Sequence, residues 1–118
     1  MISKTGILIM AVILALAFAM FVSSNTGQIA PEKISIGVIS PLTGSLASFG
    51  QSMAEGVEIS KEDFNEHSKR TVWLVVEDDM CLAKNAVDAA KKLVSVDNVK
   101  VIIGPACSSP AMAAAPVA

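Results

Sequence analysis

Three short β-branched runs alternate with amphipathic helical patterns after residue 33, and this order predicts an α/β fold. Each run is followed by a helical stretch, so successive strands are expected to be parallel and joined by crossovers. Helices are therefore expected on both faces of the sheet, as a three-layer arrangement. Only three strands are legible, fewer than such a sheet usually holds, so the sheet is expected to be incomplete. The chain is read as an export signal or membrane anchor over residues 1–24, a linker over 25–32 and a folded part over 33–118.

The N-terminal segment is the least ambiguous by composition. Lys4 is the only charge before Glu32, and residues 5–22 are uncharged and mostly apolar. Small and polar residues follow from Ser23 to Gln28. A positive start, an apolar core and a small-residue exit describe a secretory signal. The run is also close to the shortest length that spans a membrane, so a retained anchor over residues 5–22 stays open. Val22-Ser23-Ser24 and Ala17-Phe18-Ala19 are the candidate cleavage sites. Either way the chain is expected outside the cytoplasm. Pro31 discourages continuation of a helix through the linker.

Ile34 to Ile39 is β-branched and apolar, and Ser40-Pro41 ends it, which predicts the first strand. Apolar residues then recur at Leu46, Phe49, Met53, Val57 and Phe64 between Glu55, Glu58, Lys61 and Glu62. That spacing predicts a helix of about five turns ending near Asn65. Thr71 to Val76 predicts a second strand, ended by Glu77-Asp78-Asp79. Ala83, Ala86, Val87, Ala90, Leu93 and Val94 mark a second helix, with Lys84, Asp88, Lys91 and Lys92 on its wet side. Val99 to Ile103 predicts a third strand, ended by Gly104-Pro105. Ser108-Ser109-Pro110 reads as a helix start, with hydroxyls for capping and Pro in the first turn.

The bulk composition removes several classes. The 118 residues are 53% hydrophobic and 17% charged, with a net charge of −2. That is too apolar for disorder. A sequence pI of about 5.2, with no Lys/Arg cluster beyond a pair, argues against a nucleic-acid partner. Seven Gly and two Cys exclude collagen-like and disulfide-dense scaffolds. No resident metal or cofactor is expected.

In open parallel sheets, ligands bind beyond the carboxyl ends of the strands. Three loops fall there. In the third, Ser108 and Ser109 stand at a helix N-terminus, where free N–H groups and the helix dipole favour an anion. They either cap the helix or donate to a ligand carboxylate or phosphate. In the first, Gly44 and Gly50 form neither a dinucleotide nor a nucleoside-triphosphate loop. Phe49 is either a core or staple residue or an apolar wall for a ligand side chain. In the second, Glu77-Asp78-Asp79 is read as a solvated, cap-like acidic turn. A phospho-acceptor reading fails because Gly104-Pro105 stands where that site needs an Asp after the third strand.

Cys81 and Cys107 follow the second and third strands. Adjacent strands would set these loops side by side, and export favours oxidation, so a disulfide is expected. In the chain-entropy account a bridge of this length contributes roughly 3–4 kcal/mol. His67 is read as a solvated surface residue. No Ser/His/Asp or metal-ligand constellation can be assembled.

Together these pieces resemble a family. Ile36-Gly37-Val38-Ile39-Ser40-Pro41-Leu42-Thr43-Gly44, Ser48-Phe49-Gly50 with Gly56, Glu77-Asp78-Asp79 with Cys81, and Ile103 to Ser109 resemble, in order and spacing, the type I periplasmic-binding-protein solute receptors of ABC importers, in the branched-chain amino acid (Leu/Ile/Val) group. The resemblance covers residues 33–118 and implies part of an N-terminal lobe. It implies that Ser108, with Ser109 as a weaker companion, donates to a ligand α-carboxylate. Phe49 matches an aromatic position beside the ligand side chain, and Leu42 and Thr43 match the loop bordering the cleft. The cysteines match a disulfide pair that some members carry. It further implies capture of an amino acid or related small molecule between two lobes, delivery to membrane permease subunits, and no catalysis. On this reading the 118 residues alone neither bind amino acids tightly nor fold cooperatively. Two other readings compete: the ectodomain of an anchored sensor with the same fold, and a secreted α/β enzyme.

Overall fold

The structure is a computed structural model that describes residues 33–118 and, before them, Gly6, Ile9, Met10 and residues 12–16. Those few N-terminal residues are helical. The signal or anchor expected over 1–24 and the linker over 25–32 otherwise lie outside the described residues. Among the described residues, no helix is long and apolar enough to cross a membrane. The chain divides into two compact units, Met1–Ala30 and Pro31–Ala118, and the second holds the fold.

The second unit runs β1 (Lys33–Ser40), α1 (Ala47–His67), β2 (Thr71–Asp78), α2 (Ala83–Ser95), β3 (Val101–Ile103) and α3 (Ser108–Ala114). All pairings are parallel and the strand order is β2-β1-β3, so β1 is central. The expected α/β architecture is present, with helices on opposite faces of the sheet.

The period-2 alternation of β1 builds the layers. Ile34 and Ile36, with Val72 and Leu74 of β2, line an apolar groove shared with Val57 and Phe64 of α1. Ile39 points the other way, into a cluster with Ala86, Ala89, Ala90, Leu93, Val99 and Ala114. The alanines are the reason α2 and α3 can share that face, because small side chains let two helices approach both the sheet and each other. Gly37 serves the same end. A Cβ there would stand 2.8 Å from Leu93 Cδ1, so the missing side chain makes room for the fully buried Leu93.

The element limits differ from expectation in two instructive places. β3 begins at Val101 rather than Val99. Asn98 turns the chain with φ 54°, Val99 N–H donates to Leu93 O at 3.0 Å, and the Val99 side chain is buried in the core. Val99 therefore closes the end of α2 instead of joining the ladder. β2 continues two residues further than expected, to Asp78, because Glu77 and Asp78 pair with Ile39 and Ser40.

Candidate functional site

The register places three loops on one edge of the sheet. Ser40 lies opposite Asp78, and Val38 opposite Ile103, so the segments after β1, β2 and β3 leave at the same end. Every candidate residue stands on or beside these segments.

The first loop is held from two sides. Ser40 Oγ, fully buried, donates to Gly50 O in α1 at 2.9 Å. Gln51 Nε2 donates to Leu42 O at 3.1 Å. From the sheet side, Asp78 Oδ1 accepts from Leu42 N at 2.9 Å, Thr43 N at 3.4 Å and Met80 N at 2.9 Å. The Thr43 hydroxyl donates to Asp78 Oδ2. Gly44 then turns the chain at φ +85°, a conformation that favours glycine. Leu42 is half-buried and Thr43 exposed.

This corrects the reading of Glu77-Asp78-Asp79 as a solvated turn. Glu77 and Asp78 are strand residues, and Glu77 is ion-paired with Lys92. Partial burial opposes the charge on Asp78. The Thr43 hydroxyl and the amides of Met80, Leu42 and Thr43 outweigh it and hold the carboxyl below its ordinary range. Asp79 is fully buried. Its Oδ1 accepts from Cys81 N at 2.9 Å, and its own N–H donates to Ser40 O at 3.3 Å. The acids thus organise the edge rather than face water. Sequence reasoning missed Asp78 and Gln51 as loop anchors. The available signal was the pairing of parallel strand ends, which puts a β2 carboxylate beside the N–H groups that follow β1.

The expected disulfide joins Cys81 to Cys107, with Cα atoms 5.7 Å apart. Its expected cause needs correction. β2 and β3 are not adjacent, because β1 lies between them. The bridge instead ties the N-terminal ends of α2 and α3, which pack on the same face through Ala86, Ala90 and Ala114. Met80 and Cys81 take positive φ values of 52° and 58°, completing the turn that presents the Cys81 sulfur.

Ser108 and Ser109 are exposed in the first turn of α3. The cap position is Cys107, and no side chain makes a capping hydrogen bond. Their hydroxyls are not spent on the helix, contrary to the capping alternative. Phe49, in the first turn of α1, is 56% exposed, which sets aside its core alternative. The structure joins Leu42 and Thr43 directly through Asp78. No hydrogen bond links Ser108 or Ser109 to them among the described residues. His67 is exposed on α1, far along the chain from this edge, beside Asp63. Among the described residues, no group of three or more His, Cys, Asp or Glu could hold a metal ion.

The family model for periplasmic binding proteins matches residues 33–118. An amino acid binding protein of Pseudomonas aeruginosa is 36% identical over 108 residues, covering 89% of this chain and 28% of its own. The branched-chain amino acid transporter substrate-binding protein LivJ from Streptococcus pneumoniae, solved in complex with isoleucine, superposes with a TM-score of 0.70 at 25% identity. That match covers 73% of this chain and 26% of LivJ. A solute-binding protein of an ABC transporter from Rhodopseudomonas palustris, in complex with 3,4-dihydroxybenzoic acid, has a TM-score of 0.64 at 27% identity. It covers 72% of this chain and 24% of that one. The chain thus spans about a quarter of the length of these relatives. With the family pattern running through the whole of β1 to α3, the chain belongs to the periplasmic binding protein family.

Proposed function

We propose that this chain forms part of the first lobe of an exported solute receptor. The receptor captures an amino acid, with branched-chain side chains preferred, and passes it to the permease of an ABC importer. The observation that carries the reading is the pair of exposed hydroxyls on Ser108 and Ser109, free of capping duty, on the sheet edge that also bears Phe49. Ser108 donates to the ligand carboxylate, Ser109 assists, and Phe49 flanks the side chain. Leu42 and Thr43 border the cleft. The work is capture and release, with lobe closure as the signal to the permease, and needs no nucleophile or base. Residues 5–22 direct export and, if retained, tether the receptor to the membrane.

One observation favours a second ligand class. The Rhodopseudomonas palustris relative holds an aromatic acid, which shares a carboxylate with isoleucine but lacks an α-amino group. A carboxylate donor at Ser108 suits either.

The test is thermal unfolding of the protein expressed from its complete reading frame, against single L-amino acids and hydroxybenzoates. A ligand that binds only the folded state raises the midpoint, and at a given concentration the rise is larger the tighter it binds. The proposal expects the largest rise with leucine, isoleucine or valine. A rise with hydroxybenzoates alone moves the ligand to aromatic acids. No rise with either set contradicts the proposed function.

A further inference from the structure

The Leu42-Thr43 segment has three polar hydrogens that could reach a ligand: two backbone N–H groups and the Thr43 hydroxyl. All three reach one carboxylate, that of Asp78 at the end of the neighbouring strand, the Leu42 N–H being shared with Ser40 O at 2.9 Å. A fourth donor, Met80 N, completes its shell from the turn that leads to Cys81. Thr43 is exposed and 35 residues from Asp78 in sequence, so no local backbone preference puts these groups together. Charge-assisted hydrogen bonds to a carboxylate are roughly twice as strong as neutral ones, and several on one group hold a loop in a single conformation. Without that acceptor, the two Thr43 donors are free to turn to water, while the Leu42 N–H keeps Ser40 O.

We propose that Asp78 is a positioning residue for ligand capture. It acts through Leu42 and Thr43 to set the loop that borders the ligand surface, and Thr43 serves the ligand by way of Asp78 rather than by donating to it. The proposal rests on the ligand surface proposed above. Asp78 itself touches no ligand. Because Met80 shares the same carboxylate, the first loop and the disulfide-bearing second loop are held as one edge.

The test uses the protein from its complete reading frame and four variants: Thr43→Val, Asp78→Ala, their combination, and Thr43→Ser. Isothermal titration with L-isoleucine, or with 3,4-dihydroxybenzoate if only that binds, gives the dissociation constants. Each of Thr43→Val and Asp78→Ala is expected to weaken binding about tenfold, the factor that one ordinary hydrogen bond supports. The combination is expected to be no weaker than the worse single variant, because both changes break one linkage. Thr43→Ser, which keeps the hydroxyl, recovers most of what Thr43→Val loses. Additive losses, or Asp78→Ala binding like the parent, overturn the proposal. Hydrogen exchange of the Thr43 amide, whose acceptor is Asp78, supplies in the unliganded protein an arm that needs no ligand. Exchange is expected to quicken in Asp78→Ala, and unchanged exchange overturns the proposal even if the parent binds none of the probes. Should Asp78→Ala fail to fold, Thr43→Val and Thr43→Ser carry the same comparison.

Discussion

Ser40 and Gly50 are joined by a buried hydrogen bond of 2.9 Å from the Ser40 hydroxyl to the Gly50 carbonyl. The bond closes the end of the central strand onto the first turns of α1, and so fixes where the first loop begins. The contact is close enough to forbid a side chain on the helix, since a Cβ at position 50 would stand 2.1 Å from Pro41 O. Ser40→Ala removes this bond, while the carbonyl keeps its helical N–H partner, and should cost about 1 kcal/mol. Gly50→Ala should cost more, because the obstacle is backbone. Urea unfolding of the two variants, made like those below in the protein from its complete reading frame, should rank them in that order.

The Cys81–Cys107 bridge closes a loop of 26 residues. In the chain-entropy model its removal should cost roughly 3–4 kcal/mol. A Cys81→Ala, Cys107→Ala protein should unfold at a lower urea concentration, with an unfolding free energy lower by that amount. Equal midpoints for the bridged and unbridged proteins would contradict the model. Reduction should also loosen α2 against α3, visible as faster exchange at Ala111 and the residues that follow it in α3.

Leu93 sits over Gly37 with no exposed surface. Leu93→Ala should open a cavity beneath α2 and cost about 2–5 kcal/mol. Gly37→Ala puts a Cβ 2.8 Å from Leu93 Cδ1 and 3.2 Å from Val99 Cγ2, so the Leu93 side chain must shift. The double variant Gly37→Ala, Leu93→Ala should therefore be less destabilised than the sum of the single changes, a coupling that unfolding measurements can read directly.

Burial is the largest single influence on Asp78 and pushes its carboxyl up, but its four donors together outweigh it and hold the carboxyl below the ordinary range. A lowered folded-state value means that the stability Asp78 contributes is complete above the unfolded carboxylate range. It declines as the pH falls through that range and is gone below the lowered folded value. The stability difference between the parent and Asp78→Asn should be constant near pH 7 and should shrink on acidification. A difference that grows as the pH falls would reverse the assigned sign.

The layer order was legible because it depends on periodicity alone. Ile34 to Ile39 alternates, the α1 stripe recurs at helical spacing, and the alanines of α2 announce close packing. The cysteines were legible from redox context, though not the geometry that joins them. Strand order is a long-range property, and nothing local says that β1 separates β2 from β3. The role of Asp78 was hidden for the same reason. Glu77-Asp78-Asp79 looks like any acidic turn until the register sets Asp78 opposite Ser40 and beside the free donors of Leu42 and Thr43. Val99 has strong strand character, yet its place in the core is decided by the turn at Asn98.

The central claim is that the Ser108 edge receives the carboxylate of a small ligand. Isothermal titration of the protein from its complete reading frame with L-isoleucine and with isoleucinol, which lacks the carboxylate, tests it most directly, repeated on Ser108→Ala. The account predicts that isoleucine binds and isoleucinol does not. It also predicts that Ser108→Ala weakens isoleucine binding by about tenfold or more, as expected for a lost hydrogen bond to a charged group. Equal affinity of the parent for both compounds, or an unchanged dissociation constant in Ser108→Ala, would contradict it.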